Sequence, residues 1–371
     1  MSTDKKIVEA LLANAGVTLN GSQPWDPQVH NDQFYRRVLA QGSLGLGESY
    51  MDGWWDCAQL DEFFHKILLI DIDRTVRGNW WLGARLAMQY LGNMGRRTKA
   101  FVIGQRHYDK GNDLYAAMLD QRLTYTCGYW PKAQDLDSAQ EAKLDLVCRK
   151  IGLRAKQTVL DIGSGWASFM GYAAEKYDAI CTGVTVSKEQ KVLADERYSR
   201  LSVKTLLQDY RDIAGQFDQV VSLGMFEHVG YKNYRTFMEV AHRALKDGGL
   251  FLLHTIGGNR SVKGFDPWIG KYIFPNSMLP SIQEISRAVE GLFVVEDWHN
   301  FGADYDTTLM AWFKNFDAAW SHLKGKYSQR FYRMWSYYLL SCAGSFRARK
   351  NQLWQVVLSK RGVAGGYKSV R

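Results

Sequence analysis

From Thr158 onward the chain alternates between short apolar runs and longer stretches in which apolar residues recur every three or four positions. The runs at 158–162, 179–184, 203–208, 217–222 and 249–256 read as strands, and the stretches reaching to about 176, 187–201 and 231–246 read as helices. That alternation predicts an α/β domain built on a doubly wound, mostly parallel sheet. Residues 257–291 interrupt it with Gly257-Gly258, Asp266-Pro267, Phe274-Pro275 and Leu279-Pro280. Such an insertion falls where a substrate lid would lie, above the C-terminal edge of the sheet. The chain then resumes strand, helix, helix, strand to about Lys360. Residues 1 to about 100 carry little strand pattern, only short helical patterns separated by turn residues near 21–27 and 42–47, which predicts a small N-terminal helical domain.

The first strand of the alternating region runs into Asp161-Ile162-Gly163-Ser164-Gly165-Trp166-Ala167-Ser168-Phe169. Glycines between a strand and a helix let the backbone approach a ligand, and the helix start offers free N–H groups. Dinucleotide-binding folds place a third small residue after such a pair, here Ser168. Asp161 resembles instead the acid of the Asp-x-Gly-x-Gly turn of S-adenosylmethionine-dependent methyltransferases, and a tight turn without a ligand is the third reading. The second strand ends at Thr185 and Gln190 with no acid to hold a ribose; Ser187 and Gln190 also fit a helix capping box. Glu227 and His228 follow the fourth strand, and burial without partners would be costly for them. His254, inside the fifth strand, taken alone fits a core histidine.

Across all 371 residues, 47 Lys and Arg against 38 Asp and Glu give a net charge of +9, which favours an anionic partner, either nucleic acid or a phospholipid surface. Thirteen Trp tilt the choice towards lipid, because indole favours water–hydrocarbon boundaries. Trp54, Trp55, Trp80 and Trp81 with Arg96, Arg97 and Lys99 are the candidate membrane contacts, so residues 1–100 are assigned lipid association and 101–371 catalysis. The apolar stretch 80–94 is broken by Arg85 and too short to cross a bilayer, so the expected contact is peripheral. Five scattered cysteines form no Cys-x-x-Cys pair, which suggests neither a disulfide framework nor a metal site. With no signal-peptide pattern at the start, a cytoplasmic location is expected. No RNA-recognition motif is present, which disfavours a nucleic-acid partner.

Further segments are distinctive in order and length: Arg106-His107-Tyr108-Asp109-Lys110-Gly111-Asn112-Asp113-Leu114-Tyr115, Thr124-Tyr125-Thr126-Cys127-Gly128-Tyr129-Trp130, Asn300-Phe301-Gly302-Ala303-Asp304-Tyr305 and Phe346-Arg347-Ala348-Arg349. Together with the glycine turn, 183–190, 224–230 and 252–257, they resemble the bacterial cyclopropane-fatty-acyl-phospholipid synthases over nearly the whole chain. The resemblance implies a class I S-adenosylmethionine-dependent methyltransferase fold. It also implies transfer of the cofactor's methyl to a cis double bond in an unsaturated membrane phospholipid, followed by proton loss and ring closure. The proton acceptor in these enzymes is a bicarbonate ion, and the matching pocket positions here are Cys127, Glu227, His254, Ile256 and Tyr305. Glu227 beside an anion is tolerable if the ion's hydroxyl donates to it or if the carboxyl stays protonated.

Matching cofactor positions are Tyr125, Thr126, Asp161, Gly163, Ser164, Gly165, Trp166, Phe169, Thr185, Gln190, Tyr210 and Gly224. Thr126, Ser164 and Ala167-Ser168 depart from the common serine, cysteine and glycines of the family. Cys342 matches a cysteine regarded as an active-site candidate, although methyl transfer to an alkene needs no thiol. A homodimer, peripheral on the inner face of the cytoplasmic membrane, is also implied. The competing readings are methylation of unsaturated acyl chains without ring closure, an RNA methyltransferase, and a silent lipid-binding module.

Overall fold

The computed structural model describes residues 2–70, 111–262 and 264–371. The apolar stretch 80–94, Trp80, Trp81, the basic cluster Arg96, Arg97 and Lys99, and the segment 106–110 lie outside the described residues. The described residues form two compact units interleaved along the chain: those of 1–118, 264–276 and 309–350, and those of 119–263, 277–308 and 351–371.

The first unit is helical, with helices Thr3–Ala13, Gln33–Gln41, Ser43–Met51, Leu60–Leu69 and Gln329–Arg347, plus a two-residue antiparallel ribbon of β1 (Gln28–Val29) and β2 (Trp55–Asp56). Gly344 lets Gln329–Arg347 press against Leu60–Leu69: a Cβ there would lie 2.5 Å from the Asp61 carbonyl oxygen. Arg347 completes the pairing with ion pairs to Asp61 and Glu62. Buried Glu48 is held by Arg37, Lys271 and the Tyr272 hydroxyl. Trp55 does not serve as a surface aromatic: it is fully buried among Phe34, Tyr50 and Phe63, its indole N–H shared between Leu46 O and Ser49 Oγ. An indole with its one donor satisfied inside a ring cluster has no reason to seek a membrane boundary.

The second unit holds a seven-stranded sheet of β3 (Thr158–Ile162), β4 (Ile180–Thr185), β5 (Val203–Leu207), β6 (Gln219–Leu223), β7 (Leu250–Gly258), β8 (Val294–Asn300) and β9 (Asn351–Ser359), in the order β5-β4-β3-β6-β7-β9-β8. The first five strands are parallel, whereas β9 runs antiparallel between β7 and β8. Strands covered on both faces read as continuous apolar runs, which is why the expected and observed strands agree within two residues. Leu160, Phe251, Leu253 and Val356 pack on one face under Tyr234–Ala244 and Ile282–Val289. Val159, Leu252 and Val357 pack on the other under Leu136–Lys150 and Ser168–Tyr177. The strand order reverses between β4 and β6, on either side of β3, and a crevice at such a switch point is the usual ligand site of an open α/β sheet.

Candidate active site

The glycine turn sits at that switch point. The Gly163 and Ser164 N–H groups donate to Val184 O at 3.1 and 2.9 Å. Gly163 (φ +90°) has no room for a side chain, since a Cβ would lie 2.6 Å from that of Met225. Gly165 (φ +54°) faces open space, with nothing within 4 Å of the place a Cβ would take. Both positions need glycine, one for close packing and one for its left-handed backbone and the room beside it. Ala167 also adopts the left-handed conformation, and Ser168 Oγ donates to Arg122 O at 2.7 Å, fastening the helix start to the segment that leads to Tyr125 and Thr126. Phe169 is a core residue between its helix and the sheet, and Trp166 is buried.

Thr126 is fixed from below. Lys143, fully buried on Leu136–Lys150, donates to Thr126 Oγ1 at 2.6 Å, and Gln140 one turn earlier donates to Thr126 O at 2.7 Å. Above, a Cβ on Gly224 (φ +77°) would strike Thr126 Cγ2 at 2.7 Å. Asp161 Oδ1 is buried without a partner. Burial pushes its carboxyl up to about 7 against the opposing pull of Lys143, whose own pKa burial lowers to about 8. Tyr125 is half-buried.

At the end of β4, Thr185 Oγ1 donates to Gln190 Oε1 at 2.9 Å and accepts the Ser187 N–H. Ser187 does cap its helix, accepting the Gln190 N–H at 3.3 Å. The reciprocal half of the expected capping box is absent, because the Gln190 side chain is engaged by Thr185 instead. Tyr210, in a short turn after β5, packs on Phe237.

Glu227, in the short turn after β6, and His254, midway along β7 opposite the last residue of β6, are held on neighbouring segments. Gly224 N–H donates to His254 O at 2.9 Å, and Ile256 N–H donates to Glu227 Oε1 at 2.7 Å. Glu227 Oε2 and His254 Nε2 are both buried with no partner. Burial raises the Glu227 carboxyl to about 7, and burial, then Lys143 and Lys150, hold His254 well below the usual imidazole range. His228, next to Glu227 in the same turn, is exposed rather than buried, its Nδ1 bonded to Ser277 Oγ at 2.8 Å. Cys127, fully buried, directs its thiol to Gly128 O at 3.2 Å, and burial raises its pKa well above the usual range, so it is no thiolate. Thr308 Oγ1 accepts the Gly128 N–H at 3.0 Å, tying the Cys127 segment to helix Ala303–Leu323, whose first turn carries buried Tyr305.

Cys342 belongs to the first unit, half-buried on Gln329–Arg347 with its thiol pushed up to about 12 by burial. Among the described residues no cluster of His, Cys, Asp and Glu could hold a metal ion. Sequence reasoning missed Gln140, Lys143 and Gln355. The signal was present: Gln140, Lys143 and Lys150 fall at helical spacing with Leu136, Leu144 and Val147, on the buried face of their helix.

A partnerless buried carboxylate oxygen, two left-handed glycines and open space beside one of them fit a nucleoside cofactor with a cationic end. Residues 96–356 match the family described as Mycolic acid cyclopropane synthetase. The chain belongs to this family. It is 52% identical over 366 residues, 99% of its own length and 96% of the relative's, to the cyclopropane-fatty-acyl-phospholipid synthase of Escherichia coli (strain K12). Among solved structures, a cyclopropane synthase from Mycobacterium tuberculosis superposes with a TM-score of 0.66 at 30% identity, covering 69% of this chain and 97% of that one. A mycolic acid cyclopropane synthase complexed with SAH and CTAB gives a TM-score of 0.65 at 32% identity, with the same coverage. The fold of the second unit is accordingly that of class I S-adenosylmethionine-dependent methyltransferases.

Proposed function

We propose that this chain transfers the methyl group of S-adenosylmethionine to the cis double bond of an unsaturated phospholipid acyl chain and closes a cyclopropane ring, with bicarbonate as proton acceptor. Within a family member so similar to a phospholipid-modifying synthase, one observation supports the chemistry most directly. Two buried polar atoms, Glu227 Oε2 and His254 Nε2, stand without partners beside a glycine cradle. Buried polar groups are ordinarily paired, so two such atoms on the neighbouring β6 turn and β7 point to a small polar occupant.

Asp161, the Gly163–Gly165 turn, Thr126, Thr185 and Gln190 are the residues that would hold the cofactor. When bound, S-adenosylmethionine supplies a sulfonium methyl to the π pair of the alkene, and bicarbonate supplies a base for the proton that the added methyl loses as the ring closes. The alkene is a weak nucleophile, so fixed orientation carries much of the catalysis and can contribute about 7–11 kcal/mol. The double clamp on Thr126 from Lys143 and Gln140 serves that rigidity. Glu227 is anchored through Oε1 by Ile256 N–H, leaving Oε2 to engage the ion; at a pKa of about 7 it can accept a proton near neutrality. Tyr305 and the Cys127 segment complete the pocket in this reading, and Cys342 takes no chemical part.

No described helix is long and apolar enough to cross a membrane. Peripheral attachment through the basic residues, on the inner face of the cytoplasmic membrane, and a homodimer belong to the same proposal. The test is incubation with unsaturated phospholipid vesicles and methyl-labelled cofactor, followed by mass analysis of the acyl chains. Gain of one carbon with loss of the double bond and no branch is expected. A methyl branch without a ring would replace this reading with simple C-methylation, and unlabelled lipid would remove it.

A further inference from the structure

A row of polar side chains, two of them fully buried and one half-buried, crosses three strands beside the Glu227–His254 pair. His254 on β7, Gln355 on β9 and His299 on β8 are direct cross-strand neighbours. They share the sheet face covered by Leu136–Lys150, from which Lys150 Nζ reaches His299 Nδ1 at 3.0 Å. The side-chain amide nitrogen of Gln355 lies 3.3 Å from His254 Nδ1, and both residues are fully buried.

His254 is neutral, because burial and the nearby Lys143 and Lys150 oppose a second proton. A neutral imidazole has a single N–H, and the partner of one ring nitrogen decides which nitrogen carries it. An amide N–H donated to Nδ1 makes that nitrogen the acceptor and leaves the hydrogen on Nε2. As placed, the amide leaves Oε1 and one N–H without partners; reversing it would set Oε1 on Nδ1 and strand both N–H groups, and a buried carbonyl oxygen is better tolerated unpaired than a buried N–H.

We propose that Gln355 is a positioning residue for the reaction: by donating to Nδ1 it fixes His254 as the Nε2–H tautomer, so that the pocket offers a bound anion a donor rather than a lone pair. Its catalytic consequence rests on the anion-pocket reading above; the tautomer does not. An amide suits the task where a carboxylate would not, since a carboxylate at position 355 would accept from Nδ1–H and turn the Nε2 lone pair towards the anion.

The experiment is 15N NMR of the full chain labelled only at histidine, with His254 assigned by its loss in His254→Asn. In the wild type, His254 Nδ1 should resonate as an unprotonated nitrogen and Nε2 as a protonated one. In Gln355→Glu the pattern should reverse, and kcat should fall about 100-fold, the scale of one lost oxyanion donor, with the KM for S-adenosylmethionine unchanged. Gln355→Met, which removes the donor without adding an acceptor, should show both tautomers and an intermediate kcat. A protonated Nδ1 in the wild type overturns the assignment whatever the variants do. Reversal in Gln355→Glu with full turnover, or a single Nε2–H signal with full turnover in Gln355→Met, overturns the positioning role. The spectra need no turnover, and the bicarbonate reading is judged separately by Glu227→Gln, so the two fail independently.

Discussion

Replacing Glu227 by Gln should slow the enzyme and stabilise the fold, with the gain dependent on pH. The carboxyl has an ordinary value of 4.5 and stands at about 7 in the folded chain, because burial penalises its charged form. Below pH 4.5 the group is protonated in both folded and unfolded chains and contributes nothing to the difference. Between pH 4.5 and 7 the unfolded chain ionises while the folded one resists, so folded-state stability is lost as pH rises. A shift of this size at about 1.4 kcal/mol per pH unit amounts to about 3 kcal/mol, an upper figure for a site that relaxes. Gln keeps the acceptor for Ile256 N–H and cannot ionise, so the variant should equal the wild type near pH 4 and exceed it by up to that amount at about pH 8. Urea unfolding at the two pH values reads the difference. Turnover should fall about 100-fold or more, the usual worth of a group that takes part in a proton transfer, here by holding the accepting ion, with cofactor affinity retained. Parallel stability curves would refute the buried-acid argument. Undiminished ring formation in a folded Glu227→Gln variant would refute the assigned role.

Gly165→Val places a β-branched side chain at φ +54° and in the open space beside the turn. It should cost about 1–3 kcal/mol of stability and weaken cofactor binding in calorimetry; unchanged affinity in a folded variant sinks the cradle. Lys143→Met removes the charge that holds the Asp161 carboxyl down, so any acid limit of cofactor binding set by Asp161 should move to higher pH, and a limit that stays in place counts against the pairing. Gly344→Ala drives a methyl against the Asp61 carbonyl and should destabilise the chain by about 1–3 kcal/mol; wild-type stability in urea would show that the two helices are not so closely packed.

The parts of this protein that its sequence discloses are those whose signal is local. Strands β3 and β7 are covered on both faces, so each is a continuous apolar run, and the glycines at 163 and 165 mark a turn that few other residues could make. Position 227 is legible as a carboxylate at a strand end, but its protonation is not, since that depends on how completely distant segments exclude water. The placement of β9 between β7 and β8 is likewise a long-range pairing. Trp55 misleads for the same reason: an aromatic count cannot say whether Phe34 and Phe63 will close over the ring. Lys143 and Gln355 show where the limit falls. Each is a polar residue amid apolar neighbours on a buried surface, which is visible, but their partners Thr126 and His254 lie 17 and 101 residues away. A polar residue in an inward position must find a partner or be expensive to keep, so its presence predicts a buried contact without naming it. Here both contacts end on side chains of the proposed site, which makes the inward polar positions of the sheet-facing helix and of β9 the places to look for residues that tune the reaction without touching the substrate.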